Sequence, residues 1–323
     1  MVTFVLFFVV LSGEDNRHMR LLITGANGLL GQKLVALIAP RPDIELIATS
    51  RGDSKIHYDF LTYRYRPMDV TRPAEVDEVI EQEQPDVIIH TAALTKVDYC
   101  EHHRELCYRL NVKAVDHVVR AAVKHNCFLI HLSTDFVFSG DKRLLTEEDL
   151  PNPVNYYGQT KLEAEQRITE SGVKHAIVRT AIVYGVVPHL SRSNIILWVK
   201  ESLKRGKTIH VVDDQFRTPT LAEDLAEGCF LVAQKRAEGI FNVSGEELLT
   251  PYQMAHLTAD YFNLDKALIV RTDSTKFKQP ARRPLETGFV IEKAKQVLGY
   301  QPHTFLQGVR LMHQQLKEIN TLA

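Results

Sequence analysis

The 323-residue chain has no surplus of positive charge: 39 lysines and arginines stand against 40 aspartates and glutamates. A chain so balanced is poorly suited to neutralising a phosphate backbone, so nucleic acid is not expected as a main partner. Cysteine is scarce, with four in all: Cys100, Cys107, Cys127 and Cys229. Their spacing fits neither a CxxC zinc site nor a secreted disulfide framework, so they read as reduced cytoplasmic thiols, and no metal centre is expected. No apolar run reaches the roughly 20 residues that span a bilayer, so no membrane partner is expected. The run Val2–Leu11 is followed by polar Ser12–His18 and lacks the basic start and small-residue cleavage site of a signal peptide. A second methionine, Met19, directly precedes a strand-like pattern. Residues 1–18 therefore read as an upstream start-site extension or a cloning remnant, outside the fold; a weak membrane anchor or an added strand is the alternative. Repeats, low-complexity tracts and flexible linkers are also missing.

What is present is ordinary globular composition, 45% hydrophobic and 24% charged, at a length that suits about two domains or one large one. From Met19 onward, short apolar runs alternate with amphipathic stretches. Strands are expected at Arg20–Thr24, Ile44–Ser50, just before Asp69, and at Pro85–Ala93, Cys127–Phe138 and His175–Tyr184. Helices are expected at Gly31–Ile38, Pro73–Gln84, Glu101–Asn126 and Gly158–Glu170. Near-continuous apolar strands alternating with helices imply a parallel sheet covered on both faces. After Tyr184 the rhythm changes, with helices expected at Ser191–Arg205, Leu221–Arg236, Pro251–Asn263 and Phe305–Ile319. Gly239–Val243 reads as a further strand, and residues 239–245 are a candidate to rejoin the main sheet. The expectation is a nucleotide-binding domain over 19–184 and a smaller lobe, mainly substrate-binding, over 185–323.

The string Thr24-Gly25-Ala26-Asn27-Gly28-Leu29-Leu30-Gly31 lies between the first strand and the first helix. Glycines there permit a sharp turn, close approach of backbone to a pyrophosphate, and tight helix–sheet packing, while the helix N-terminus offers free N–H groups. Cofactor contacts are expected from Gly25, Asn27, Gly28, Leu29, Leu30 and Gly31. The second strand ends at Ser50-Arg51 with no acid directly following. Arg51 suits a ribose 2′-phosphate, so NADPH is expected over NADH, a solvated surface arginine being the plainer reading. Asp69 and Val70 sit where the adenine would lie, although Asp69 reads equally well as a turn aspartate. Ala92 and Ala93 are small enough for ribose contact or for close sheet packing.

Tyr157 and Lys161 are spaced one helical turn apart, on one face. A neighbouring ammonium favours phenolate and tunes the tyrosine towards proton exchange near neutral pH; Lys161 also suits the nicotinamide ribose. Tyr156 is the rival, but its partner one turn on is the uncharged Thr160. Ser133-Thr134-Asp135 closes the fifth strand, where ligand sites of such sheets lie. Glycine loop, hydroxyl and Tyr-Lys pair then follow in order on successive units.

With these motifs the chain resembles the extended short-chain dehydrogenases/reductases, and within them the dTDP-4-dehydrorhamnose reductases. The resemblance runs from Met19 to about Leu316. It rests on TGANGLLG, HTAALTKVD, LSTDFVF, YYGQTK, VRTAIVYG, DDQFRTPT and RRPLETG. It implies a Rossmann-type doubly wound sheet with a C-terminal substrate-binding lobe, and NADPH-dependent reduction of a nucleotide-linked 4-keto-6-deoxysugar. Thr134, Tyr157 and Lys161 take the family's catalytic positions, with Asn111 supporting the lysine; a packing role for Asn111 is the plainer reading. Val97, Asp98, Asp135, Phe136, Gln215 and Arg217 match its substrate side. Arg217 is read as meeting a diphosphate or pairing with an acid, and Phe136 as lining the sugar pocket or as packing. The family often places tryptophan where this chain has Ile182, which leaves the particular sugar open. Related dehydratases carry Asp-Glu after the threonine; Asp135-Phe136 argues against their chemistry. Some relatives dimerise, so a homodimer is among the expectations. Another nucleotide-sugar reductase or epimerase, and a regulatory subunit like that of methionine adenosyltransferase, are the competing readings.

Overall fold

A computed structural model of the chain describes residues 18–56, 62–188 and 194–322. The reading of residues 1–17 as an extension lies outside them. Seven strands build the main sheet: β1 (Met19–Thr24), β2 (Ile44–Ser50), β3 (Arg64–Pro67), β4 (Val87–His90), β5 (Phe128–Thr134), β6 (His175–Thr180) and β7 (Gly239–Asn242). They lie in the order β7-β6-β5-β4-β1-β2-β3, every pair parallel. This is the doubly wound sheet expected from the pattern. Its order reverses between β1 and β4, which opens a crevice beyond their carboxyl ends.

The period-2 alternation of a strand decides which face each residue serves. Leu21 and Ile23 of β1 pack on one face with Leu34, Val35 and Ile38 of α1 (Leu29–Ile38). Leu22 points the other way, to Val76, Val79 and Ile80 of α2 (Pro73–Glu83). All are fully buried or nearly so. Each such side chain contributes about 1.5–3 kcal/mol relative to exposure. At Gly31 a Cβ would lie 2.4 Å from the Gly25 carbonyl oxygen, so only glycine lets α1 seat this close to the turn.

The long helix expected over 101–126 is broken into α3 (Val97–His102), α4 (Arg104–Tyr108), a π-turn (Arg109–Lys113) and α5 (Ala114–Lys124). The break falls at His103, whose φ of −127° and ψ of 55° leave the helical region. The strand expected to reach Phe138 ends at Thr134, because the Thr134 hydroxyl accepts the Phe136 N–H and winds 135–137 into a 3₁₀ turn. The one expected to reach Tyr184 stops at Thr180, and Ile182 then takes a φ of +35°. Helix α6 (Tyr156–Glu170) starts earlier than expected, with the Asn155 side chain capping it through the Gly158 N–H.

Beyond Tyr184 the residues divide between two places. The helices α7 (Ile195–Lys204), α9 (Pro251–Phe262) and α10 (Phe305–Leu322), with a parallel pair of strands at 209–212 and 269–272, form a small lobe with its own core. Between α7 and α9, helix α8 (Ala222–Lys235) instead packs through Leu225, Cys229 and Phe230 into the core that holds α1. Strand β7 joins the edge of the sheet beside β6. Among the described residues no helix is long and apolar enough to cross a membrane. All four cysteines are buried and unpaired.

Candidate active site

The turn from Gly25 to Gly28 sits at the carboxyl end of β1, directly against Thr91 and Ala92 beyond β4. Helix α1 has Gly28 at its cap position, no side-chain cap and no acid in its first turn. Its first N–H groups therefore have no side chain competing for them, which fits a diphosphate at Gly28, Leu29 and Leu30. Ser50 closes β2, and its carbonyl accepts the Met68 N–H. Arg51 follows, exposed to solvent. The Asp69 carboxylate is partly taken up by its own turn, accepting from the Thr71 N–H and hydroxyl at 2.9 and 2.7 Å. Burial pushes its pKa up, but those two bonds and the charges of Arg51 and Arg72 outweigh it and hold the carboxyl below its ordinary range. Val70 is buried, and its carbonyl meets the His117 ring. Ala92 and Ala93 are half-buried at the mouth of β4. These residues fit an adenine dinucleotide laid across the ends of β1, β2 and β4.

The residues expected to be catalytic lie on and against β5, two strands away from β1, at a separation of about 10 Å by ordinary strand spacing. Lys161 projects from α6 and is 2% exposed. Its ammonium donates to the Leu132 carbonyl at 2.6 Å and meets His131 Nε2 at 2.9 Å. Burial drives its pKa down to about 8, against the pull of the Glu165 carboxylate one turn on. Tyr157 precedes it by one turn and is 8% exposed, its ring edge-on to Phe136 with centroids 5.9 Å apart. Gly158 makes this approach feasible: a Cβ there would lie 2.1 Å from the Phe136 carbonyl oxygen. Thr134 ends β5 two residues after Leu132, whose carbonyl accepts from Lys161. Tyr156, the rival, lies at the first turn, with its N–H on Glu101 and Arg104 over its ring.

Asn111 faces inward from the π-turn. Its side chain accepts the Leu94 N–H at 2.8 Å and donates to the Leu94 carbonyl at 3.0 Å and to Thr160 at 3.2 Å. It thus ties the loop after β4 to the residue just before Lys161.

On the substrate side the side chains split. Val97 and Phe136 border the Tyr157 cluster with Cys100 and Cys107. Gln215 lines a cleft of about 260 Å³ with Ser274, Phe277, Arg282 and Arg283. Ile182 is half-buried, and its positive φ is a backbone strain of roughly 1–3 kcal/mol for a β-branched residue. Three expected substrate contacts are engaged by the protein itself. Arg217 is 2% exposed; its guanidinium reaches the carbonyls of Phe216, Pro284 and Leu285 and pairs with Asp135 at 3.1 Å. Of the two readings of Arg217, the acid pairing is the one found. Asp135, fully buried, accepts from Thr134 at 3.1 Å and Thr287 at 2.6 Å, so it faces into the protein and not into the cleft. Burial raises its pKa and Arg217 opposes that rise. Asp98 forms a two-pronged pair with Arg283, both contacts 2.8 Å.

Sequence reasoning passed over His131, Glu165, Arg179 and Arg283. Glu165 accepts from Ser133 and from Arg179, at 2.6 Å for its closer contact with the arginine, all three nearly or fully buried. Its position one turn beyond Lys161 was a usable signal. His131 and His90, stacked with ring centroids 5.4 Å apart, were visible only as lone polar residues in apolar strands.

Comparison with known proteins places this geometry. Residues 19–318 match the family model described as the RmlD substrate binding domain. Methionine adenosyltransferase 2 subunit beta from Bos taurus is 34% identical over 250 residues, 76% of this chain and 72% of that protein. The dTDP-4-dehydrorhamnose reductase of Aggregatibacter actinomycetemcomitans is 30% identical over 303 residues, 90% of this chain and 97% of the relative. Among solved structures, the dTDP-4-dehydrorhamnose reductase of Bacillus anthracis in complex with NADP superposes with a TM-score of 0.79 at 28% identity, over 92% of this chain and 99% of that one. By fold and by these matches, the chain belongs to the RmlD substrate-binding-domain family of extended short-chain dehydrogenase/reductase-like proteins.

Proposed function

We propose that the protein is an NADPH-dependent reductase of a nucleotide-linked 4-keto-6-deoxysugar, with dTDP-4-dehydrorhamnose the foremost candidate and dTDP-L-rhamnose its product. The observation that carries this reading is the anchoring of Lys161 to β5 at Leu132, two residues before Thr134 and one helical turn after Tyr157. The reductase relatives, one of them bound to NADP, support the cofactor and the substrate class. When bound, the nicotinamide supplies hydride to the carbonyl carbon. The protein's own side chains handle the oxygen. Tyr157 gives its hydroxyl proton to that oxygen as charge develops there, and the Lys161 ammonium favours the phenolate left behind. Thr134 donates to the same oxygen after turning its hydroxyl from Asp135. Lys161 holds the ribose, and Asn111 keeps the lysine's helix in register with the loop after β4. Gly25–Gly31 and Arg51 hold the phosphates, with NADH as the weaker cofactor. Residence in the cytoplasm belongs to the same proposal, since four buried unpaired cysteines fit a reducing compartment.

The experiment is a screen of cofactor oxidation over nucleotide 4-keto-6-deoxysugars with identification of the product. Stoichiometric NADPH consumption and a 4-hydroxy product are expected. Inverted stereocentres without net oxidation would instead make the protein an epimerase. A second reading, a nucleotide-binding regulatory subunit, is favoured by the 34% identity to methionine adenosyltransferase 2 subunit beta. NADPH binding without turnover of any 4-keto sugar would select it.

A further inference from the structure

Beyond Arg51 itself, the cofactor end contains a fastening between the glycine-rich turn and the loop after β2. The exposed loop from Arg51 to Lys55 is held to the body of the protein by two side chains. Asn27, in the middle of the glycine-rich turn, donates from Nδ2 to the Asp53 carbonyl at 2.9 Å and accepts the Lys55 N–H on Oδ1 at 2.8 Å. Those two partners fix which end of the amide is nitrogen. Its remaining amide hydrogen goes to the Tyr65 hydroxyl at 3.3 Å. Tyr65, on the edge strand β3, gives its own hydrogen to the Gly52 carbonyl at 2.7 Å. Burial raises the Tyr65 pKa, so the phenol keeps that hydrogen at neutral pH. Both amide hydrogens of Asn27 are thereby used, and its carbonyl oxygen accepts one bond.

We propose that Asn27 and Tyr65 are positioning residues for cofactor selectivity: they lock the Arg51–Lys55 backbone to the phosphate-binding turn so that Arg51 is presented to a phosphate on the adenosine ribose. The proposal rests on Arg51 taking that phosphate. Turn and loop then form one hydrogen-bonded unit, in which the part that meets the diphosphate also sets the part that meets the ribose. An exposed arginine on a free loop would lose ordering entropy on each binding event; a loop fastened beforehand reduces that loss, for the phosphorylated cofactor alone.

The test is fluorescence titration of NADPH and of NADH against the wild-type chain, Arg51→Ala, Tyr65→Phe, Asn27→Ala and Arg51→Ala/Tyr65→Phe. Tyr65→Phe is expected to weaken NADPH about fivefold to tenfold and NADH less than about twofold, the loss of one to two hydrogen bonds. In the double variant the Tyr65 change is expected to add nothing, because it acts through Arg51. Equal loss of both cofactors on Tyr65→Phe, no loss, or full additivity with Arg51→Ala overturns the proposal while a selective effect of Arg51→Ala leaves the phosphate reading standing. If Arg51→Ala weakens both cofactors equally, the phosphate reading falls and the proposal with it. Asn27→Ala reads the same ratio should Tyr65→Phe fail to fold.

Discussion

The two ends of the crevice carry charge on opposite terms. At the cofactor end, Arg51 and Asp53 are exposed and stand on a loop fastened by hydrogen bonds to its backbone. At the reactive end, Lys161, Glu165, Arg179, Asp135 and Arg217 are buried and bonded to one another or to main-chain carbonyls. An exposed charge contributes little to folding and is free to choose a ligand. A buried one costs several kcal/mol in desolvation and is tolerated only with its partners in place, so its geometry is fixed before substrate arrives. The difference suggests a division of labour: selectivity on the surface, chemistry in a rigid interior.

The strongest way to break that division is to remove the proposed proton donor without disturbing the cofactor end. Tyr157→Phe keeps the ring against Phe136 and loses only the hydroxyl. Turnover should fall by about 10²- to 10⁴-fold, the range for a lost general acid, while NADPH affinity stays within about twofold. Steady-state rates and direct titration read both. Full activity in this variant would mean that some other group protonates the oxygen.

Next in size is the buried pair Asp135–Arg217. Arg217→Met leaves a carboxylate buried beside Thr134 with the guanidinium it pairs with gone. Denaturant unfolding should show a loss of about 3–5 kcal/mol, and adding Asp135→Asn should return part of it. A loss below about 1 kcal/mol would show that the interior pair is not what fixes this region.

The lysine supplies a subtler check. Its pKa is lowered to about 8, with His131, Glu165 and Cys107 as its charged or titratable neighbours. Below that pH it is an ammonium, whose charge the proposed mechanism uses to favour phenolate; above it the amine has no charge to do so. The kcat/KM of the reductase should therefore decline as pH rises through about 8, by up to about tenfold per unit. The stability effect has its own sign. The unfolded lysine stays protonated to about 10.4, so between the two values the unfolded chain binds more protons and folding stability rises with pH. A flat rate profile to pH 10 would exclude Lys161 as the charge that matters.

Much of this was readable from the chain, and the parts that were not share a cause. The main sheet followed from apolar runs with period-2 alternation, and the turn at Gly25–Gly31 from its context between strand and helix. The placement of Tyr157 and Lys161 one turn apart on α6 followed from their spacing within a helical pattern. Each depends on neighbours within a few residues. The break at His103, the inward turn of Arg217 and the contact of Lys161 with His131 depend on partners 30 or more residues away or on a loop geometry set by packing. Arg217 shows the limit best: a diphosphate and a buried acid ask for the same guanidinium, and only the fold brings Asp135 to it. Strand β3, with Arg64 and Arg66 in its four residues, survives as a strand because it lies at the sheet edge, where charged residues are tolerated.

The smallest effect separates burial from pairing as such. Asp98–Arg283 has better geometry than Asp135–Arg217, with two contacts of 2.8 Å and the Ala281 N–H at 3.1 Å besides, yet the Asp98 side chain is 42% exposed. The Arg283 bonds hold its carboxyl below the ordinary range, against a smaller opposing push from burial. Its contribution is thus present at neutral pH and is lost as acid carries the pH below the usual carboxylate value and through the lowered one. Solvent screens such a pair, so Asp98→Asn should cost no more than about 1 kcal/mol in denaturant unfolding, and molar salt should erase most of the difference between variant and wild type. Salt should leave the loss at Arg217→Met largely intact. Because Arg283 lines the cleft with Gln215 and Phe277, Asp98→Asn should raise the KM for the proposed nucleotide-sugar substrate more than it lowers kcat. If Asp98→Asn instead destabilised the protein as much as Arg217→Met, and did so at any salt concentration, exposure would not be what distinguishes the two kinds of charge, and the contrast between surface and interior would have to be drawn from geometry alone.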